Sequence, residues 1–148
     1  MRKIQWIGCS LVLGLLAGCG GSRSYVKHGE VEKTINQEAV HSSYIETIGI
    51  GAADSTLTNT TQRRATSRDA AIVQAQYEML SIVKGIELDG GITVEKAMET
   101  NSKLETTVKA VIQGAEVIKT EWTNDDGCVV TLRLEKKRLE TEMGVKFK

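Results

Sequence analysis

The residue with the most distinctive chemistry is Cys19, in the stretch LLAGCG. A thiol there could serve redox chemistry, metal binding, a disulfide or covalent attachment. The chain opens with two cations, Arg2 and Lys3, and a mostly apolar run from Ile4 to Ala17 follows. This run is too short to cross a bilayer comfortably, but it has the length of a signal-peptide core. The pattern therefore predicts a signal peptide over residues 1–18.

The four residues Leu16-Ala17-Gly18-Cys19 resemble the lipoprotein box of bacterial lipoproteins: a Leu, two small residues and a Cys. The resemblance implies that the Cys19 thiol receives a diacylglycerol, that the chain is cut before it, and that the new amine is acylated. Three acyl chains would hold the protein firmly on a membrane. Gly20 stands where an inner-membrane lipoprotein has Asp, so the resemblance implies the outer membrane with the domain facing the periplasm. The alternative is an ordinary signal peptide with a chance cysteine.

Other chemistry-bearing residues form no recognisable constellation. His28 and His41 lie 13 apart with no His or Cys partner at metal spacing. The stretch Gly49-Ile50-Gly51 lacks the third glycine of a dinucleotide fingerprint. Asp125-Asp126 with Glu121 lacks the loop pattern of a calcium site and instead indicates a turn. We therefore predict no catalytic residue, no cofactor and no metal, and a protein that is not an enzyme.

Three arginines, Arg63, Arg64 and Arg68, crowd the start of a predicted helix. The helix dipole disfavours cations there, by roughly 0.3–1 kcal/mol each. One interpretation is a solvated helix face. The other is a basic patch that binds acids on a partner or a neighbouring subunit.

The final residues VKFK allow two interpretations as well. Val145 and Phe147 alternate with Lys146 and Lys148, which is typical of an edge strand protected by lysines. The alternative is that this strand adds to a neighbouring molecule, which would favour rings or filaments.

The composition is that of a soluble domain of ordinary charge. Removal of residues 1–18 takes away two of the 19 Lys and Arg and none of the 19 Asp and Glu, which leaves a net charge of −2. This balance indicates no nucleic-acid binding. Cys9 leaves with the signal peptide and Cys19 carries lipid, so Cys128 is left as a lone thiol that we expect to be buried.

Hydrophobic periodicity predicts a strand over 44–51, a helix over 61–84, a strand over 92–100 and a second helix from a capping box at Ser102 and Glu105 to Gly114. A hairpin follows, with strands 116–123 and 128–135, and then a short helix and an edge strand. The predicted domain organisation is a signal peptide (1–18), a lipidated tether and polar segment (19–43), an α+β domain (44–135) and a C-terminal extension (136–148). The order β-α-β-α-β-β predicts a two-layer α+β fold, with a mainly antiparallel sheet of three to four strands and two helices on one face.

The motifs IGIGAA, QRRATSRDAAIVQAQYEML and IQGAEVIKTEW, with a D-D-G turn after them, resemble the Lpp-twenty family of small bacterial lipoproteins over roughly residues 44–135. At this length the resemblance is to the FlgP group, lipoproteins of the flagellar basal body. It implies an architectural role needed for motility, a homo-oligomeric ring or disk under the outer membrane, and other basal-body proteins as partners. The residues leave open a general envelope lipoprotein that binds another protein or peptidoglycan, and a periplasmic enzyme or ligand carrier.

Overall fold

Three antiparallel strands and four helices make up residues 40–148, the part of the chain that the computed structural model describes. The elements in chain order are β1 (Tyr44–Gly51), α1 (Thr60–Lys84), α2 (Val94–Thr100), α3 (Ser102–Gln113), β2 (Glu116–Trp122), β3 (Cys128–Glu135) and α4 (Lys136–Met143). The strands lie in the order β1-β3-β2. The α+β class and the antiparallel sheet are therefore confirmed.

Strand β3 is central, and its neighbours pair with it along most of its length. Tyr44 of β1 lies opposite Glu135, and Gly51 lies opposite Cys128. The β2–β3 pair is the predicted hairpin, and its register shifts at a bulge between Val117 and Lys119. Both β1 and β2 are thus edge strands of the described sheet.

The alternation predicted for β1 is present. The buried side of this strand carries Ile45, Thr47 and two glycines, Gly49 and Gly51. Helix α1 crosses this side so closely that the hydroxyl of Thr47 donates a hydrogen bond of 2.8 Å to the carbonyl of Ala75. Glycine in the strand is what permits this approach, because any β-carbon would collide with the helix backbone.

One hydrophobic core lies between this sheet face and the helices. Every helix contributes buried side chains to it, including Met79 of α1, Val94 of α2, Val108 of α3 and Leu139 of α4. Cys128 is completely buried in the same core, as the sequence predicted. Burial raises the pKa of this thiol, and the nearby charge of Arg68 offsets part of that effect.

The predicted strand over 92–100 is wrong, because Val94–Thr100 is helix α2. Thr93 caps this helix by accepting a hydrogen bond from the backbone N–H of Lys96. Val94 and Met98 are both buried, and their spacing of four residues satisfies one helix turn as well as strand alternation. The element order is consequently β-α-α-α-β-β-α.

The start of α3 also differs from the predicted capping box. Asn101 is the N-cap, and its side-chain oxygen accepts hydrogen bonds from the backbone N–H groups of Lys103 and Leu104. Ser102 is the first helical residue instead. Asn and Ser are both favoured at the N-cap position, so the pair Asn101-Ser102 allows the helix to begin after either residue. The backbone conformation at the end of α2 determines that Asn101 is the cap.

The C-terminal helix forms as predicted, but the edge strand after it does not join the sheet. Helix α4 ends at Gly144, which has a φ of 69°. Phe147 then forms an isolated antiparallel bridge with Leu88, in the loop that follows α1. The segment 136–148 therefore packs on the same core as the rest of the domain.

Candidate interaction site

The predicted attachment residue, Cys19, lies outside residues 40–148, as do the predicted signal peptide and His28. Within the described range, none of the helices has both the length and the apolar character needed to cross a bilayer. The structure therefore bears on the surfaces that the domain presents, while the anchor itself stays a prediction.

The arginines at the start of α1 meet an acid of their own domain. The Arg64 Nε donates a hydrogen bond of 2.8 Å to Asp126 Oδ1, and Arg63 donates to the other carboxylate oxygen. Asp126 lies in the β2–β3 turn with a φ of 65°, a conformation that Asp tolerates better than most residues. The Ser67 hydroxyl donates to the Asp126 carbonyl at 2.8 Å. The start of α1 is thus tied to the hairpin turn through three side chains.

This arrangement explains the electrostatics of the turn. The hydrogen bond from Arg64, together with the charge of Arg63, lowers the pKa of the Asp126 carboxyl below its usual value. The Arg64 guanidinium also lies 5.6 Å from the ring centroid of Trp122, within range of a cation–π contact. Two of the three predicted patch residues therefore have a role inside the domain.

Arg68, the third arginine, lies one turn further along α1 and is partly buried. Among residues 40–148 no carboxylate forms an ion pair with it. Its positive charge offsets part of the rise in the pKa of the Cys128 thiol that burial causes. The binding of a partner's acids by this patch stays a prediction.

Val145 and Phe147 pack against the core as half-buried side chains. The Phe147 backbone N–H donates to Glu140 Oε1 at 2.8 Å, and the Lys148 N–H donates to the Glu87 carbonyl at 3.1 Å. The tail therefore pairs with the loop after α1, and an edge strand of its own sheet is not what these residues form. Their addition to a neighbouring molecule stays a prediction.

The sheet face that points away from the helices is mixed in character. Arg133 bonds to Glu46 at 2.5–2.8 Å and stacks over the Tyr44 ring at 4.4 Å. Exposed apolar side chains flank these charges, including Ile50 and Ile118, each 38% exposed. The hydrogen bonds to Glu46 raise the pKa of the Arg133 guanidinium above its usual value.

The outward side of α1 is a surface that the sequence patterns did not predict. Val73 and Tyr77 are 65% and 71% exposed, the two most exposed large apolar side chains among the described residues. At the end of this side, Tyr77, Leu80, Lys84 and Glu95 line an open hollow of about 280 Å³. The signal in the sequence was a second apolar spacing on α1, which the stronger core spacing of the same helix obscured.

Among the described residues, the possible metal ligands are the Asp and Glu side chains together with His41 and Cys128. In the described range no cluster of three or more His, Cys, Asp or Glu side chains has the geometry to hold a metal ion. His41 stacks on Tyr44, with ring centroids 4.3 Å apart.

Comparison with known proteins gave no further assignment: no protein family, no curated protein and no solved structure matches this chain.

Proposed function

We propose that this protein is an outer-membrane lipoprotein, anchored through Cys19, that serves as a non-enzymatic structural component of the flagellar basal body. The observation that carries the proposal is the box Leu16-Ala17-Gly18-Cys19 after a charged start and an apolar run. Its flagellar part rests on the resemblance of residues 44–135 to the FlgP group of the Lpp-twenty family. In that role repeated copies form a ring or disk beneath the membrane.

The length of the segment between the predicted anchor and the domain, and the exposed side chains of the domain, support an anchored scaffold. Twenty residues separate Cys19 from Val40, where the described domain begins. Fully extended they span at most about 70 Å, which limits the distance of the domain from the membrane. The domain presents exposed apolar side chains such as Val73, Tyr77 and Ile118 that suit contacts with other proteins.

The anchor is tested by metabolic labelling with palmitate in the native host. The wild-type chain should incorporate label and fractionate with the outer membrane. The Cys19→Ser variant should lose the label and remain uncleaved, whereas Cys9→Ser should behave as wild type. Equal labelling, cleavage and membrane retention of Cys19→Ser would refute the anchor.

The flagellar role is tested separately. Purified basal bodies should contain the protein by mass spectrometry, and gene deletion should abolish motility while growth stays normal. Normal swimming with a leaky envelope would instead identify a general envelope lipoprotein that binds a protein or peptidoglycan. That outcome would leave the anchor intact and overturn the flagellar assignment.

A further inference from the structure

The outward side of α1 carries residues in heptad spacing. Ala70, Val73, Tyr77 and Leu80 follow each other at intervals of three, four and three residues. Thr66 and Lys84 extend the same spacing by four residues at each end. We refer to these six residues as the α1 seam. Alternating steps of three and four are the pattern by which one helix packs along another.

The middle of the seam lies outside the domain's own core. Only Leu80 of the seam is half-buried against that core, and Lys84 forms a mostly exposed ion pair with Glu95. The fully buried residues of α1 lie on its opposite side: Ser67, Ala71, Ala75, Met79 and Val83. One helix therefore bears two faces, one that holds the domain together and one that is open. Val73, at 65% exposure, leaves most of its apolar surface in contact with water.

The borders of the seam are neutral and turned away from it. The Gln74 side chain accepts a hydrogen bond from the Ile50 N–H at 3.2 Å, and the Gln76 amide donates to the Gln113 carbonyl at 3.4 Å. Between Asp69 and Glu78 the helix carries no charge. A second helix of the same sequence can therefore approach the middle of the seam without like-charge repulsion.

We propose that the α1 seam binds the α1 seam of a second copy of this chain, with the two helices antiparallel. A two-fold axis at the level of Ala75 places Ala70 of each copy opposite Leu80 of the other, and Val73 opposite Tyr77. Small side chains thus meet large ones at each layer. The same axis brings Lys84 over the Thr66 end of the other copy, close to Asp69, so opposite charges meet at both ends.

The parallel arrangement fits poorly. It sets Ala70 against Ala70 and Tyr77 against Tyr77, which leaves a gap in one layer and crowds another. It also sets Lys84 against Lys84 and aligns the two helix dipoles. The antiparallel pair opposes the dipoles and is isologous, so it closes as a dimer.

The expected contact is short. From Thr66 to Lys84 the seam measures about 27 Å at 1.5 Å per residue. A pair of helices of this length buries less than the roughly 1,600 Å² of a standard stable interface, so the dimer should be concentration-dependent. A covalent trap in the intact membrane is therefore the right test. The proposal does not depend on the flagellar role.

The experiment uses two differently tagged full-length chains, Val73→Cys and Tyr77→Cys, expressed together and oxidised mildly in cells. The antiparallel pair places these two positions opposite each other, so a disulfide-linked dimer carrying both tags should form. Either variant alone should give no linked dimer, because like positions are then offset by a helix turn, beyond the Cα separation of about 7 Å that a disulfide bridges. The wild-type chain, with Cys128 buried, measures the background.

The outcomes are distinct. Absence of the mixed disulfide overturns the proposal, and so does equal linkage of Val73→Cys with itself, which indicates a parallel pair. A second arm uses differently tagged Ala70→Cys and Leu80→Cys chains, whose cysteines the antiparallel pair also places opposite each other. Adding Val73→Lys to both chains should abolish their disulfide. Ala110→Lys, at an exposed position on α3, should leave it unchanged. Circular dichroism of the purified variants confirms that each is folded, and an unchanged disulfide with folded Val73→Lys also overturns the proposal.

Discussion

Gly49 of β1 lies directly against the backbone of Ala71 in α1, so that a methyl group on Gly49 would sit 1.9 Å from the Ala71 carbonyl oxygen. Gly51 stands in the same relation to the carbonyl of Ser67, at 1.8 Å. Strand and helix therefore meet backbone to backbone. This contact sets how closely α1 packs on β1.

Gly49→Ala should destabilise the domain by about 3 kcal/mol, because the clash is with backbone and α1 must move away from the sheet. Urea unfolding followed by circular dichroism measures the change. The matched control is Gly85→Ala at the end of α1, where the added carbon finds its nearest neighbour at 3.5 Å. The control should be neutral or stabilising by about 0.4–1 kcal/mol. Equal stability of the two variants would contradict the packing described here.

Asp126→Asn should lower the melting temperature at neutral pH and leave the turn intact, because Asn also tolerates the left-handed conformation. The folded-state pKa of Asp126 is lowered by Arg64, so the unfolded chain takes up the proton first as pH falls. The stabilisation is therefore complete above the unfolded pKa of about 3.9 and is lost as the pH falls through the folded pKa. Melting curves between neutral pH and about pH 3 should show the difference between wild type and variant shrinking at the acid end.

Glu99→Gln is the control for that series, because Glu99 forms an exposed pair with Lys96 on one helix. Exposed pairs of this kind contribute little. Its melting temperature should follow that of wild type at every pH. A constant gap between Asp126→Asn and wild type down to pH 3 would show that the carboxylate charge does not stabilise the turn.

Phe147→Ala should cost about 1–2 kcal/mol, because the ring is half-buried against the core and a fully buried ring costs about 3–5 kcal/mol. The neighbouring Lys146 is exposed, and Lys146→Ala should stay within about 0.5 kcal/mol of wild type. Chemical denaturation of both variants measures the contrast. Indistinguishable midpoints would mean that the tail does not pack against the domain.

Asn101→Ala should cost about 1 kcal/mol, because it removes the side chain that caps α3, whereas Ser102→Ala should be nearly neutral. Thermal unfolding of the two variants distinguishes the observed cap from the one that the sequence predicted. A larger effect of Ser102→Ala would restore the predicted capping box.

Sequence patterns predicted best those elements whose apolar residues repeat with a spacing that fits either a helix or a strand, but not both. Helix α1 and strand β3 repeat their apolar residues over many positions, so chance agreement with another period is small. Segment 92–100 has four apolar residues, Ile92, Val94, Ala97 and Met98, and the spacing of Val94 and Met98 fits a strand and a helix equally. In the structure Thr93 caps this segment as a helix, and Gly90 and Gly91 before it adopt positive φ angles. These features depend on the route that the backbone takes after α1, which the apolar spacing of the segment does not specify.

The arginines show the same limit for the candidate site. Their position at a helix start predicted an acidic partner, and the sequence held no information on where that acid lies. Asp126 is 62 residues beyond Arg64 and meets it because the hairpin turn folds over the start of α1.

The sequence by itself determined the α+β class, the hairpin, the long helix and the burial of Cys128, because these follow from local periodicity and turn residues. It also predicted the attachment chemistry at Cys19, which needs no tertiary contact. Only the tertiary structure decided that Asp126 holds Arg63 and Arg64, that Phe147 pairs with Leu88, and that one side of α1 remains open. These outcomes depend on which distant residues the folded backbone brings together, and no local pattern contains that information.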